Sequence, residues 1–373
     1  MTNQDSWIFV TVFPNLLINT PFETQYAAVV PYDDKRVKLL KQKHKLLAEV
    51  LNSFVDNRFK KIKPSVLLVH KKLYSNKNDK QSAIVAFRNI IALNVILEGW
   101  IPLVESKYPN VSTTLYSDYY DFFPMNSYGD KLYSVTSPAL SSIISNAKVK
   151  YQSNYLLPDT KQFLLSFDNK LFSELVKVWE DYFINKNKFH SYTSLFRSFQ
   201  LVFSACKMPT DNFSTFYDYG TKVGLWISSF EILFHPGEKG KIGYKDIINE
   251  LNKYDLINPK IRGKKYSING TQTNIVGLIY KEIYDARNDF FHGNDIVKNG
   301  LYLFKQNRFP AITRIAPVIY LIALSVFLKN NNMLPDIEPK NIDERIVKYI
   351  MRDRIEEIFI KIVKKKIPLK KAT

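Results

Sequence analysis

The sequence predicts a mixed fold, with an N-terminal α+β domain over residues 1–158 followed by an all-α helical bundle over residues 159–373. Three observations predict it. A chain of 373 residues is too long for one ordinary hydrophobic core, so two domains are expected. Short β-prone runs, broken by prolines and mixed with helical periodicity, fill the first part. From Leu171 onward the apolar residues recur at helical spacing in one segment after another. With 46% hydrophobic and 14% aromatic residues there is ample material to bury, and disorder is not expected.

In the first domain, Trp7 to Phe13 and Gln25 to Val30 read as strands, separated and ended by Pro14, Pro21 and Pro31. Asp33 to Val55 reads as a helix, because Val37, Leu40, Leu47, Val50 and Leu51 recur at helical spacing with lysines opposite. Ser65 to His70 is β-like, and Asp79 to Leu97 is a long helix apolar enough to be largely buried. Thr113 to Pro124 and Lys131 to Val135 are aromatic-rich and read as extended, with the domain ending near Asn154 to Thr160. Tyr116, Tyr119, Tyr120, Phe122 and Phe123 have the chemistry to stack on bases. Aromatics in extended segments more often fill a core or pair across strands, and that reading is preferred.

In the second domain, helices are expected over Leu171 to Ile184, Tyr192 to Lys207, Phe216 to Phe234, Tyr244 to Tyr254, Asn274 to His292, Ile312 to Leu328 and Ile342 to Lys364. Pro209, Pro236-Gly237, Pro259, Gly293 and Pro335 punctuate them. The Gly237 to Gly243 loop carries Lys239 and Lys241 but lacks the Gly-Lys-Ser/Thr ending of a phosphate-binding loop, so it reads as a basic connector. The last helix places Ile346, Ile350, Ile358 and Ile362 along one side, with Asp343 and Glu344 at its start and lysines at its end, a polarity that suits the helix dipole. It is expected to dock against the bundle or a second subunit.

A net charge of +18 invites a polyanionic partner, most simply RNA. Lysine far outnumbers arginine, and Asn and Ile are abundant, so nucleotide bias in the gene explains part of that charge. The single cysteine, Cys206, excludes a disulfide framework within the chain and a Cys-based zinc site. His44, His70, His190, His235 and His292 show no metal-ligand spacing, so neither a metal nor another cofactor is expected. Met1 to Trp7 lacks the pattern of a signal peptide. The longest apolar run, Val318 to Leu328, is about half of the roughly 20 residues that a membrane-spanning helix needs. A soluble, cytoplasmic protein with no membrane partner is expected.

The densest chemistry lies in Arg287, Asn288, Asp289, Phe290, Phe291, His292 and Gly293, closing the helical run from Asn274. A guanidinium grips phosphate through its planar fork, an imidazole exchanges protons near neutral pH, and an amide can orient either the imidazole or a substrate. A permanent cation beside a titratable base is what phosphodiester cleavage without a metal requires. The chain carries its own control, since Arg88-Asn89 lies in another apolar helical run with no His after it. The plain alternative is a helix end, with His292 near the last carbonyls and Gly293 as a left-handed cap.

Arg-Asn-x-x-x-His-Gly at the end of an amphipathic helix resembles the signature of HEPN domains, in particular the Apea-like branch. Upstream, Trp226, Ser229, Glu231, Leu233 and Phe234 resemble the family's earlier helix, in which a Glu follows an apolar face. Tyr284 stands one turn before the arginine, where the family commonly has an aromatic, and Ala316 to Leu328 resembles its closing helix. The resemblance spans roughly Leu171 to Leu328. It implies an all-α HEPN bundle and a metal-independent endoribonuclease with Arg287, Asn288 and His292 as catalytic residues.

On a straight helix Asn288 and His292 share a face, whereas Arg287 and His292 diverge by about 140°. A local kink, or two copies of the motif facing across a two-fold axis, would aim both at one phosphate. The resemblance implies the second, a homodimer through the bundle. It also implies a role as a toxin or in antiviral defence, with a regulatory protein or a phage-derived trigger as a further partner and the N-terminal domain as sensor or restraint. Two other readings stand beside it: a non-catalytic bundle that binds RNA or nucleotide, and a toxin silenced by a separate chain, for instance a nucleotidyltransferase antitoxin.

Overall fold

Residues 6–55, 59–74, 79–104, 119–127, 133–137, 140–144, 151–152, 169–208, 215–237, 240–292, 298–333 and 342–368 are described by a computed structural model of the chain. The chain divides into two units, Met1–Ala92 with Leu115–Phe167, and Leu93–Thr114 with Asp168–Thr373. The first holds most of the strands and the second is mainly helical, so the fold is mixed α+β.

In the first unit, strands β1 (Trp7–Phe13), β2 (Phe22–Glu23) and β3 (Ala27–Val30) form an antiparallel sheet with a later strand, Ser65–His70, in the order β1, Ser65–His70, β3, β2. Alternation explains which side chains it buries. Trp7 and Phe9 point into the core; a bulge between Phe9 and Thr11 then shifts the register, so that Val12 joins them instead of Thr11. Ala28, Val30, Val66 and Leu68 complete that face.

Two helices cover it, α1 (Lys35–Lys43) and α2 (Lys45–Asn52), where the periodicity suggested one helix over Asp33 to Val55. On an unbroken helix Val50 would point about 140° away from Val37. The chain turns extended at His44, with φ −127° and ψ 93°, and both valines then enter the same core as Leu47 and Leu51. Asp34 caps the first helix by accepting from the Arg36 N–H at 2.8 Å. The run ends in a short strand, β4 (Phe54–Val55), parallel to Tyr151–Gln152.

The Ser65–His70 strand, β5, is followed by a helical turn, α3 (Lys71–Tyr74), and by the long helix α4 (Lys80–Gly99). The extended reading of Thr113 to Pro124 does not hold where that segment is described. Tyr119 and Tyr120 are in a turn and fully buried, and no strand forms among the described residues 119–124. Phe122 packs on Phe13, and Phe123 on Phe54, its N–H reaching the Val12 carbonyl at 2.9 Å. These rings are core, as the preferred reading had it; Tyr116 lies outside the described residues. Arg88 holds the segment in place, donating to the Asn89 side-chain oxygen at 2.8 Å and to the Tyr120 carbonyl at 3.3 Å. Met125–Ser127, Tyr133–Ser137 and Leu140–Ile144 (β6, β7 and β8) form a small antiparallel sheet, and Tyr151–Gln152 is β9.

The second unit contains α5 (Asn169–Phe183), α6 (His190–Lys207), α7 (Phe216–Leu233), α8 (Tyr244–Leu251), α9 (Pro259–Arg262), the strands β10 (Tyr266–Ile268) and β11 (Thr271–Thr273), then α10 (Ile275–Phe291), α11 (Ile312–Asn330) and α12 (Ile342–Lys364). The hairpin departs from an all-α reading. Its turn is Asn269-Gly270, with φ of +47° and +81°, the pair of positive angles that a two-residue hairpin turn requires. Trp226, Phe230, Tyr280 and Tyr320, from three different helices, meet at the centre. Ser198 joins α6 to this group, donating to the Ser229 carbonyl at 2.8 Å and lying 2.5 Å from the Tyr320 hydroxyl.

The last helix docks within its own unit, burying Ile355, Ile358, Phe359 and Ile362. Its buried Glu356 accepts from the Ile257 and Asn258 N–H groups at 2.8 and 2.7 Å. Ile346 and Ile350 have side chains outside the described residues. Lys80–Gly99 and Ile312–Asn330 are long and apolar enough to cross a membrane by length and composition, but 78% of each apolar window is buried inside the structure. These are core helices by burial.

Lys222 is fully buried on α7, its Nζ over the Trp100 ring at 5.4 Å and 3.4 Å from the Met208 carbonyl. Burial pulls its pKa down to about 8 and pushes that of the nearby Cys206 thiol up to about 12. Between about pH 8 and the ordinary lysine value of 10.5, the unfolded chain therefore holds a proton that the folded chain lacks. Stability contributed by this group rises with pH across that window. Cys206 acts in the opposite direction from about pH 9, so the Lys222 contribution is read as a difference: by urea unfolding, the stability of the wild type relative to Lys222→Met should rise between about pH 8 and 10.5, with Lys222→Met the more stable protein at neutral pH. Identical pH dependence in both proteins would contradict the assignment.

Close packing gives a second expectation. A Cβ at Gly220 would stand 2.8 to 3.0 Å from Cδ1, Cγ and Cβ of Phe290, whereas one at Gly224 would meet the ring edge of Phe291 at 2.8 Å. Phe290 Cβ is fixed to its helix and cannot swing away, but Phe291 is exposed and its ring can turn. Gly220→Ala should lower stability by about 1–3 kcal/mol from overpacking. Gly224→Ala should leave it level or raise it by up to about 1 kcal/mol through helix propensity. Thermal unfolding separates the two, and an equal loss in both would argue against this packing.

Candidate active site

The site grows out of the way α10 begins and ends. Asn274 caps its start, its side-chain oxygen accepting from the Val276 and Gly277 N–H groups at 2.9 and 3.1 Å. Asn252 braces the cap by accepting from the Asn274 N–H at 3.0 Å and the Thr273 hydroxyl at 2.9 Å. Val276, Ile279, Tyr280, Ile283 and Ala286 then run down the buried face at helical spacing. Arg287, Asn288 and Asp289 fall outside that stripe, and Phe290 returns to pack over Gly220. The helix stops at Phe291, and His292 is its C-cap, with φ −95°, ψ 10° and its N–H on the Asn288 carbonyl at 3.0 Å. Gly293 lies outside the described residues.

Arg287 and Asn288 are brought together directly. The guanidinium donates to the Asn288 side-chain oxygen at 3.1 Å and sits 5.1 Å from the centre of the Phe291 ring. His292 is one turn further on and exposed, and no contact joins its imidazole to the guanidinium among the described residues. Arg287 and His292 thus share one helix end without converging within one chain, in keeping with their angular separation on a helix.

Behind the arginine stands a group that the sequence offers only as part of a helix pattern. Burial pushes the Glu231 carboxyl above the usual carboxylate range, and the positive charge of Arg287 pulls it back. Side chains on a helix lean toward its N-terminus, so Glu231 on α7 and Arg287 on the antiparallel α10 lean toward each other. Tyr280 feels both charges, and its hydroxyl is buried with no hydrogen-bond partner among the described residues. One turn along, Tyr284 stacks at a tilt on Tyr244, and Lys281 pairs with Asp285 at 2.5 Å.

The turn at Phe304 and Lys305 is tied to the same helix. Phe304 and Lys305 hold φ of +56° and +54°, a left-handed conformation that side chains resist by roughly 1–2 kcal/mol each. Glu282 accepts from the Phe304 N–H at 3.0 Å, and Asp289 pairs with Lys305 at 2.8 Å, so α10 itself holds that turn. Asp289 is thereby engaged away from Arg287.

The Arg88-Asn89 pair is an internal comparison. Both arginines donate to the next asparagine, yet Arg88 is buried and fastens a backbone carbonyl, whereas Arg287 is partly exposed at a helix end. Among the described residues no group of three or more His, Cys, Asp or Glu side chains is placed to hold a metal ion. Sequence reasoning did not place Glu231, Tyr280 or the two glycines of α7 at the site. The glycines carried a signal, since glycine recurring one turn apart inside an apolar helix marks a close backbone approach. Nothing local marks the Tyr280 hydroxyl.

Chemically, the helix end offers a fixed cation to an anion and an exposed imidazole to a proton. Comparison with protein-family models, curated proteins and solved structures finds no match to this chain.

Proposed function

We propose that this chain is a metal-independent endoribonuclease of the HEPN type, acting through the end of α10. The observation that carries the proposal is the state of Arg287: partly exposed, steadied by Asn288 and Phe291, with a carboxyl group behind it and an imidazole one turn ahead. A guanidinium held in one orientation loses less freedom when it grips a phosphate.

In the proposed reaction His292 takes the proton of the RNA 2′-hydroxyl, and the 2′-oxygen bonds to the adjacent phosphorus. The bond from phosphorus to the 5′-oxygen breaks, and that oxygen is protonated as it leaves. Arg287 stabilises the charge added to the phosphate, and Asn288 and Glu231 orient Arg287. The products are a 2′,3′-cyclic phosphate and a 5′-hydroxyl. Because Arg287 and His292 diverge on one helix, the competent site pairs the arginine of one protomer with the histidine of another in a homodimer. The first unit then serves as sensor or restraint, under a regulatory protein or phage-derived trigger, in cytoplasmic antiviral defence or as a toxin.

A second reading, a bundle that binds RNA without cutting it, draws on one observation. No second side chain fixes the His292 ring among the described residues, and an unoriented imidazole is a poor base. A dimer supplies the missing neighbour in the first reading and has no such task in the second.

Arg287→Ala and His292→Ala should each reduce cleavage of total RNA by at least about a hundredfold, the usual scale for removing a general acid–base or charge-stabilising group. Each should keep its thermal transition, since neither side chain is in the core. Mixing the two inactive proteins should restore cleavage through heterodimers holding one intact Arg and one intact His on different chains. Wild-type activity per protomer that stays constant on dilution to monomer would rule out a shared site, and wild-type cleavage by either mutant would rule out the site itself.

A further inference from the structure

Three aromatic side chains stand exposed at the end of the second unit that carries the candidate site. Tyr217 is 84% exposed, Phe216 43% and Phe291 58%. The first two open α7, and the third closes α10. Tyr217, Gly220 and Gly224 lie at i, i+3 and i+7, so they share one face of α7. That face receives Phe290 over Gly220 and Phe291 over Gly224. The rings therefore form a row: Tyr217 at the start of α7, Phe290 one turn on, and Phe291 another turn on beside Arg287.

We propose that Tyr217 and Phe291 form a stacking platform for unpaired bases, so that the ribonuclease takes single-stranded RNA; this rests on the ribonuclease reading of the same site. Tyr217 and Phe291 leave most of their ring area in water, although the edge of Phe291 rests on Gly224. Base stacking on such rings tolerates any sequence, because every base offers a π-face.

The surroundings suit a polyanion. Arg287 lies over the Phe291 ring. Of the acids nearby, Asp218 accepts from the Thr215 N–H and hydroxyl, and Asp289 pairs with Lys305. A base stacked on Phe291 puts its own phosphate beside Arg287. Duplex RNA presents its bases already stacked and paired, and it offers such a platform nothing to hold.

The test uses the full chain and a short labelled RNA carrying 2′-O-methyl groups throughout, which cannot be cut by 2′-hydroxyl attack. Affinity is measured for the single strand and for the same strand annealed to its complement, with the oligomeric state recorded alongside. Tyr217→Ala and Phe291→Ala should each weaken single-strand binding about five- to a hundredfold, the range for losing one stacked base. Tyr217→Phe and Phe291→Trp, which keep a ring, should bind as the wild type does, and duplex affinity should not change in Tyr217→Ala, which leaves Arg287 and its Phe291 support in place. Unchanged single-strand affinity in the alanine variants, or an equal loss on the duplex in Tyr217→Ala, overturns the platform. Conversion of a dimer to a monomer with loss of all binding also overturns it, assigning the rings to contact between subunits. Binding that depends on the rings, with no cutting of an unmodified strand, leaves the platform standing and ends the ribonuclease reading; cutting with binding that ignores the rings does the reverse.

Discussion

The helices Phe216–Leu233 and Ile275–Phe291 approach each other through bare backbone at Gly220 and Gly224, and the position of every side chain at the candidate site depends on that approach. Phe290 fills the space over the first glycine and fixes the rotation of the last turn of its helix. With that rotation set, the charge of Arg287 is felt at the Glu231 carboxyl, Phe291 comes to the surface, and His292 caps the end. The deeper packing of Phe230 on Tyr280, and of both Trp226 and Phe230 on Tyr320, supports the same geometry from below. A bulkier residue at Gly220 would therefore change where the cation stands, well away from the change itself.

Much of the second unit was legible because its signals are local. The helix running from Asn274 to His292, with Ala286 as its last buried position, follows from periodicity. The hairpin was missed: Asn269-Gly270 between short β-prone runs is a strong turn signal, but its place among helices hid it. The break at His44 was not legible. No glycine or proline marks it, and the chain leaves the helix there so that Val50 and Val37 can reach one sheet, a tertiary demand that overrides propensity. The Glu231 and Tyr280 surroundings of Arg287 were hidden for the same reason, since they come from another helix and from a turn higher on its own.

The two Arg-Asn pairs show how little a local motif says without its surroundings. At Arg88 the guanidinium is buried, makes a backbone contact to the Tyr120 carbonyl and lies over Phe122, so its charge is committed to holding a chain segment. At Arg287 the same hydrogen bond to the neighbouring asparagine leaves the guanidinium at the surface, with a half-buried carboxyl behind it. The first arrangement stabilises a fold. The second keeps a cation oriented and within reach of an anion, and with His292 one turn away it supports the proposed chemistry.

End-group analysis of RNA incubated with the full chain in excess chelator tests the central proposal most directly, run with the wild type and His292→Ala and with a substrate bearing hydrogen in place of the 2′-hydroxyl at the cut. The proposal requires a 2′,3′-cyclic phosphate and a 5′-hydroxyl from the wild type, and no product from either His292→Ala or the deoxy substrate. Cleavage of the deoxy substrate at a comparable rate, product formation by His292→Ala at the wild-type rate, or intact RNA after incubation with the wild type would contradict it.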